Sequence, residues 1–176
     1  MAFDGSYPRR VREAGVVYQI FVRRARCSRC ATGHALTPDF VLARRRDSTT
    51  AVGVAVLAHT GYQVPVGATR FYDGVPERTV RSWRQRFAER ADVLARQFAA
   101  LCAEWGDLPP WSVGTTVAAA IDMIGATRRA ASRRRPGTVP PAWPMANIVL
   151  GGQLLGTRVD LPGPIAPNLI GHSRAP

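Results

Sequence analysis

The stretch DGVPERTVRSWRQRFAERADVLARQFAALCAEWG, residues 73–106, joins a turn signal to one long helical pattern, the most regular in the chain. Pro76 suits the first position of a helix, and Gly106 suits the position just after its end. Between them, apolar side chains recur at steps of three and four, which places them on one helix face. They are Val80, Trp83, Phe87, Ala91, Leu94, Phe98, Leu101 and Trp105. The sequence therefore predicts a helix from about Pro76 to Trp105 with a single apolar seam.

The residues before this helix complete a helix-turn-helix pattern. Asp47 or Ser48 can cap a helix over STTAVGVAVLAH, and a short segment, residues 64–72, follows it. Asp73 and Gly74 form a turn signal. A short helix, a glycine-containing turn and a second helix with Thr-Val-x-x-Trp are typical of a helix-turn-helix. The sequence departs from the pattern at Arg70 and Asp73, where a small and an aliphatic residue are usual.

The predicted second helix presents side chains that can read DNA bases. With Val80, Trp83 and Phe87 directed inward, its opposite face carries the side-chain types that contact base edges in the major groove. These predicted reading residues are Arg78, Arg81, Ser82 and Gln85, flanked by Arg84 and Arg86 as phosphate contacts. The alternative is the solvated face of an ordinary amphipathic helix. The apolar seam either packs within its own domain or pairs two chains, so a homodimer through Val80 to Trp105 is a further expectation.

Charge is the strongest compositional signal. The formal net charge is +12, and all 24 basic residues are arginine. GC-rich codons explain the choice of arginine but not the excess of bases over acids, which is typical of a protein with a polyanionic partner. We expect Arg44, Arg45 and Arg46 to hold DNA phosphates without reading sequence. The alternative for these three residues is a solubilising linker.

The first 46 residues predict short strands and half of a metal site. Extended segments flank a turn at residues 13–15, and the pair Cys27 and Cys30 follows the second segment. With His34 they form a C-x-x-C-x-x-x-H run, whereas a closed zinc site needs four ligands. The third cysteine, Cys102, lies on the apolar seam and is expected to be buried. A redox dithiol is the alternative interpretation of the cysteine pair.

The C-terminal region differs in composition. Ten of the 14 prolines lie in residues 107–176, where we expect one helix between Ser112 and Arg134, a loop over RRRPGTVPPAWP and a loosely ordered tail. The chain thus divides into three predicted regions, 1–46, 47–106 and 107–176, and the predicted class is α+β, mainly helical. No signal peptide opens the sequence and no apolar run is long enough to span a bilayer, so we expect a cytoplasmic protein.

Four stretches carry a family resemblance: RRVREAG, RARCSRCATGHALTPDFVLARR, GVPERTVRSWRQRFAERA and PAWPMANIVLGGQLLG. In these the chain resembles transposase-like zinc-ribbon and helix-turn-helix proteins of GC-rich bacteria. The resemblance implies zinc at Cys27 and Cys30, DNA contact by the helix from Pro76, and no catalytic domain. The family's first cysteine knuckle would lie before Met1, so the expected zinc ribbon is incomplete and the chain is expected to be an N-terminally truncated member.

The sequence therefore predicts a non-catalytic, sequence-preferring DNA-binding protein of mobile-element origin. No Ser-His-Asp order, glycine-rich phosphate loop, H-E-x-x-H motif or carboxylate trio is present. A degenerate transposase remnant without retained activity is the second interpretation. A transposase or a thiol oxidoreductase is the third.

Overall fold

The computed structural model describes residues 2–107 and 115–156, and over these the protein is of the α+β class, as predicted. Three strands form one antiparallel sheet in the order β1-β2-β3: β1 is Ala2–Glu13, β2 is Val16–Arg26 and β3 is Gly33–Leu36. The helices are α1, Thr49–Leu57, α2, Glu77–Glu104, α3, Thr116–Arg134, and α4, Ala142–Val149, with a 3₁₀ turn at Ala68–Tyr72.

The hairpin turn between β1 and β2 lies where the sequence predicts it. Ala14 and Gly15 both have positive φ, 51° and 74°, a conformation in which glycine is at no disadvantage. A register shift between Phe3 and Ser6 interrupts the pairing of β1 with β2. Most side chains of the hairpin are exposed, including Phe3 and Phe21, whereas Val11, Val22 and Ala25 are buried.

The long helix also agrees with its prediction to within one residue at each end, because α2 runs over Glu77–Glu104. The helix before it is shorter than STTAVGVAVLAH suggests. It ends at Leu57, and its start is fixed by Ser48, whose Oγ accepts a hydrogen bond from the backbone N–H of Ala51. The exposed side chains of Arg70 and Asp73 explain how the turn tolerates them, since neither charge is buried.

The apolar seam of α2 is the centre of one core to which α1, α3 and α4 all contribute. Trp83, Phe87, Leu94 and Phe98 have no exposed surface. Burial of this kind stabilises by roughly 1.5–3 kcal/mol per large apolar side chain. Because the seam is covered within the chain, the expected homodimer through α2 would have to use the exposed side chains of that helix.

The sequence predicts a loop over residues 133–144 and a loosely ordered segment from residue 147. Helix α4, which covers parts of both, shows that this prediction is wrong. Pro141 caps α4 and Pro144 lies in its first turn, where the missing N–H of proline costs no hydrogen bond. Trp143 packs edge-to-face on Phe87, with ring centroids 5.7 Å apart, and Leu154 and other apolar residues after the helix are buried in the same core. Ser112, the predicted start of α3, and the predicted tail beyond residue 156 lie outside the described residues.

The hairpin is joined to the helices at its turn end. The guanidinium of Arg12 donates from Nε to Oδ1 of Asp47 at 2.8 Å and from Nη1 to the carbonyl oxygen of Gly74 at 2.9 Å. Ser48 Oγ donates to the carboxylate of Glu13, and the backbone N–H of Ala14 donates to the carbonyl of Phe71. These bonds hold the hairpin against the start of α1 and the turn before α2. None of the helices in ranges 2–107 and 115–156 has the length and apolar character needed to cross a membrane.

Candidate nucleic-acid interface

The start of α2 presents the predicted reading residues on the side opposite its buried seam. Arg78, Arg81 and Gln85 are exposed, and Ser82 is half-buried. Gln85 donates from Nε2 to the carboxylate of Glu89 at 3.0 Å, one helical turn further on. The helix therefore holds two guanidiniums, an amide and a hydroxyl on adjacent turns, with their direction set by the packing of Val80, Trp83 and Phe87.

The two flanking arginines have different surroundings. Arg84 is half-buried and donates from Nε to the carbonyl oxygen of Ala55 at 2.9 Å, in the last turn of α1. This bond satisfies one of the carbonyls that a helix end leaves unpaired, and it holds α2 against α1. Arg86 instead donates to Ser82 Oγ at 3.3 Å and lines a cavity of about 350 Å³ together with Arg44 and Arg45. The structure thus brings Arg86, but not Arg84, beside Arg44 and Arg45, two of the predicted phosphate contacts.

Arg44, Arg45 and Arg46 lie in a loop that strand β1 supports. Arg9 donates from Nη2 to the carbonyl oxygens of Leu42 at 2.6 Å and Arg45 at 2.5 Å. Arg44 has a φ of 58°, in the left-handed region that residues other than glycine seldom adopt. Burial lowers the pKa of the Arg45 guanidinium, and the nearby charge of Arg86 lowers it further. Two like charges, Arg45 and Arg86, therefore lie close together at this loop, and the charge of Asp47 offsets them in part.

The sequence patterns do not identify Arg9 and Arg10 as members of this region. Arg9 and Arg10 of β1 line a cavity of about 420 Å³ with residues 44–46 and Tyr7. The two segments are 35 residues apart in sequence and meet because Arg12 bridges to Asp47 in parallel register. The sequence shows two adjacent arginines in a predicted strand, but it does not show which residues lie next to them in space.

The cysteine pair forms a tight loop at the far end of the hairpin. The backbone N–H of Cys27 donates to the carbonyl of Thr32, and that of Ala31 donates to the carbonyl of Cys27, both at 2.9 Å. Ala31 adopts a φ of 56°. Hydrogen bonds from the side chain and backbone of Thr32 lower the pKa of the Cys30 thiol, and the Cys27 thiol contributes to the same effect.

This loop fits half of a tetrahedral zinc site. Cys27 and Cys30 lie close enough for their thiols to interact, and two thiolates supply two of the four ligands of a closed site. His34 pairs with Ala25 in the sheet. In the part of the chain that the structure describes, no three His, Cys, Asp or Glu side chains are grouped so that they can hold a metal. Cys102 is fully buried, as predicted, and burial raises the pKa of its thiol.

We expect iodoacetamide to modify Cys30 and Cys27 in the native protein well before Cys102, because the pair is accessible and the lowered pKa of Cys30 raises its thiolate fraction. Two ligands bind zinc weakly, so the chain should carry less than one tightly held zinc per monomer. Timed alkylation with mass spectrometry and elemental analysis of the same sample measure both. One zinc per monomer that survives a chelator, with both thiols protected, would show that the ligands have been misidentified.

Comparison with known proteins finds one similarity. A family model described as a domain of unknown function (DUF6431) matches residues 1–83. No curated protein and no solved structure matches the chain. The matched segment runs from the hairpin through the cysteine pair, the arginine loop and α1 to Trp83 in α2. The chain is therefore similar to this family over the hairpin and the start of α2 together, which includes Arg78 and Arg81.

Proposed function

We propose that this protein is a non-catalytic DNA-binding protein of mobile-element origin that prefers particular duplex sequences. The observation that carries the proposal is the start of α2, where Arg78, Arg81 and Gln85 are exposed on a helix whose other face is buried from Val80 to Phe98. We interpret α1, the 3₁₀ turn and α2 as a helix-turn-helix with α2 as the recognition helix. The positive φ of Gly74, 72°, provides the sharp turn before it.

Charge supports the same proposal. The net charge of +12 favours association with a polyanion. Guanidinium groups bind phosphate and the O6 and N7 atoms of guanine through two parallel hydrogen bonds. On this proposal Arg81 and Arg78 read bases, while the arginines of residues 44–46 and Arg86 contact the backbone. The transposase-like resemblance is the basis for the mobile-element origin.

A degenerate remnant without retained activity is the alternative. Such a remnant would attract DNA through charge alone, without distinguishing one sequence from another. Selection of bound duplexes from a random pool separates the two proposals. A recurring site among the selected duplexes supports a reader, and a pool that stays random supports a remnant.

Against a selected site, Arg81→Ala should lower discrimination between the site and its variants by about 1–3 kcal/mol at particular base pairs. The reason is that a bidentate contact to a base edge distinguishes one base from another, whereas a phosphate contact does not. Competition binding with single-base variants of the site measures the loss. Arg78→Ala should act in the same way, at different base pairs.

The matched control is Arg96→Ala, on the same helix. Arg96 is exposed and pairs with Asp92 at 2.7 Å, in a contact of one helical turn that contributes little to stability. It removes the same charge as Arg81→Ala and should leave discrimination intact. If both variants weaken every sequence equally, α2 does not read bases.

A further inference from the structure

A cavity between β1 and the loop before α1 is lined by five arginines and one tyrosine. Its volume is about 420 Å³, and its charged lining residues are all arginine: Arg9, Arg10, Arg44, Arg45 and Arg46, with Tyr7 as the sixth residue. A concentration of like charge on one wall is unfavourable unless an anion occupies it. The cavity is therefore a candidate for an anion site.

The residues that the structure describes neutralise this charge only in part. Asp47, the acid next to the loop in sequence, is 5% exposed and pairs with Arg12 at 2.7 Å, and its charge also acts on Arg45, whose pKa it raises. Arg9 holds the loop in place through the carbonyls of Leu42 and Arg45. The cavity is thus built by specific bonds, and its remaining guanidiniums have no carboxylate partner among the described residues.

The arginines also form a continuous track from the cavity to α2. Arg44 and Arg45 line both this cavity and the neighbouring one of about 350 Å³, whose wall includes Arg86 of α2. Arg86 lies one helical turn after Ser82 on the predicted reading face. A ligand in the cavity would therefore lie near Arg86, the arginine that flanks the predicted reading face.

We propose that this cavity binds one phosphate group of the DNA backbone, next to the segment that α2 reads, and so anchors the duplex to the hairpin. Guanidiniums converging on one space suit the tetrahedral oxygens of a phosphate, and the Tyr7 hydroxyl is a further donor. This inference rests on the proposed function and assigns β1 a share in it through Arg10. The hydrogen bonds of Arg12 and Ala14 to the turn before α2 would then hold this phosphate site in a fixed position relative to α2.

The test compares Arg10→Gln and Arg46→Gln with Arg96→Gln. The side chains of Arg10 and Arg46 make no hydrogen bond or ion pair with the described residues, so their loss should leave the melting temperature unchanged. Each variant should reduce the magnitude of the slope of log K against log salt by about 0.9 on any duplex. A reduction of 0.9 in this slope, the loss of one phosphate contact, corresponds to a roughly eightfold loss of affinity at 0.1 M salt. Arg96→Gln should leave the slope unaltered.

Two outcomes distinguish a failure of this inference from a failure of the proposed function. If the wild-type protein binds DNA and both cavity variants keep its slope, the cavity is not a phosphate site, although DNA binding survives. If the wild-type protein binds no DNA, the proposed function fails, and inorganic pyrophosphate at matched ionic strength becomes the probe. A rise in melting temperature with pyrophosphate that Arg10→Gln abolishes would support the cavity as a phosphate site, and no rise would overturn it.

Discussion

Gly53→Ala should lower the free energy of unfolding by about 3 kcal/mol, although alanine is the better helix former. Gly53 lies in the middle of α1, and a Cβ there would come within 3.0 Å of three atoms of the Trp143 indole. That indole is 9% exposed and packs on Phe87, so it cannot move aside without disturbing the core. In a chain of this size the loss should appear as a fall of roughly 6–12 °C in melting temperature.

The control for this substitution is Gly125→Ala in α3. A Cβ at Gly125 meets only the flexible end of Arg129, at 3.4 Å, so alanine there should stabilise by about 0.5–1 kcal/mol. A second check uses Trp143→Leu as the background, in which Gly53→Ala should cost much less than it does with the indole present. Equal rises in melting temperature for both glycine substitutions would contradict the packing of α1 on α4.

Arg12→Ala should cost about 3 kcal/mol of stability at neutral pH. It would leave the carboxylate of Asp47, which is 5% exposed, without its ion-pair partner, and removal of one member of a buried pair costs several kcal/mol. It would also remove the bond to the carbonyl of Gly74. Thermal or denaturant unfolding measures the loss, and hydrogen exchange should show β1 and β2 opening before the helices.

The unpaired charge can be separated from the lost packing by adding Asp47→Asn. The double variant should recover part of the stability, because the amide has no net charge to desolvate. Arg96→Ala, which breaks an exposed pair on α2, should cost no more than about 0.5 kcal/mol. If Arg12→Ala is as mild as Arg96→Ala, the bonds of Arg12 do not hold the hairpin to the helices.

The parts of the fold that the sequence predicts are those governed by neighbours along the chain. The seam and the caps of α2 lie within one helix, and the turn of the hairpin needs only Ala14 and Gly15. Helix α4 was missed because Pro141 and Pro144 suggest a loop when only local preferences are considered. It forms because the Trp143 indole packs on α1 at Gly53, which has no side chain and lies 90 residues earlier in the chain.

The candidate site divides in the same way. Helical geometry alone assigns Arg78, Arg81 and Gln85 to one face. Arg84 belongs to the same predicted set, yet its partner is a backbone carbonyl of Ala55, 29 residues away, which no local pattern reveals. The share of Arg10 in the arginine cavity depends likewise on the alignment of β1 with the loop before α1.

Helix α2 has a consequence for the energetics of binding. It is 28 residues long, about 42 Å, and runs without interruption from the candidate reading face to its contacts with α3. Its first turns are thus preorganised by a core that exists before any ligand arrives. If α2 contacts DNA as proposed, association loses little conformational entropy in this helix. The heat capacity change on binding should reflect the apolar surface covered at the interface, without the added contribution of a segment that folds on contact.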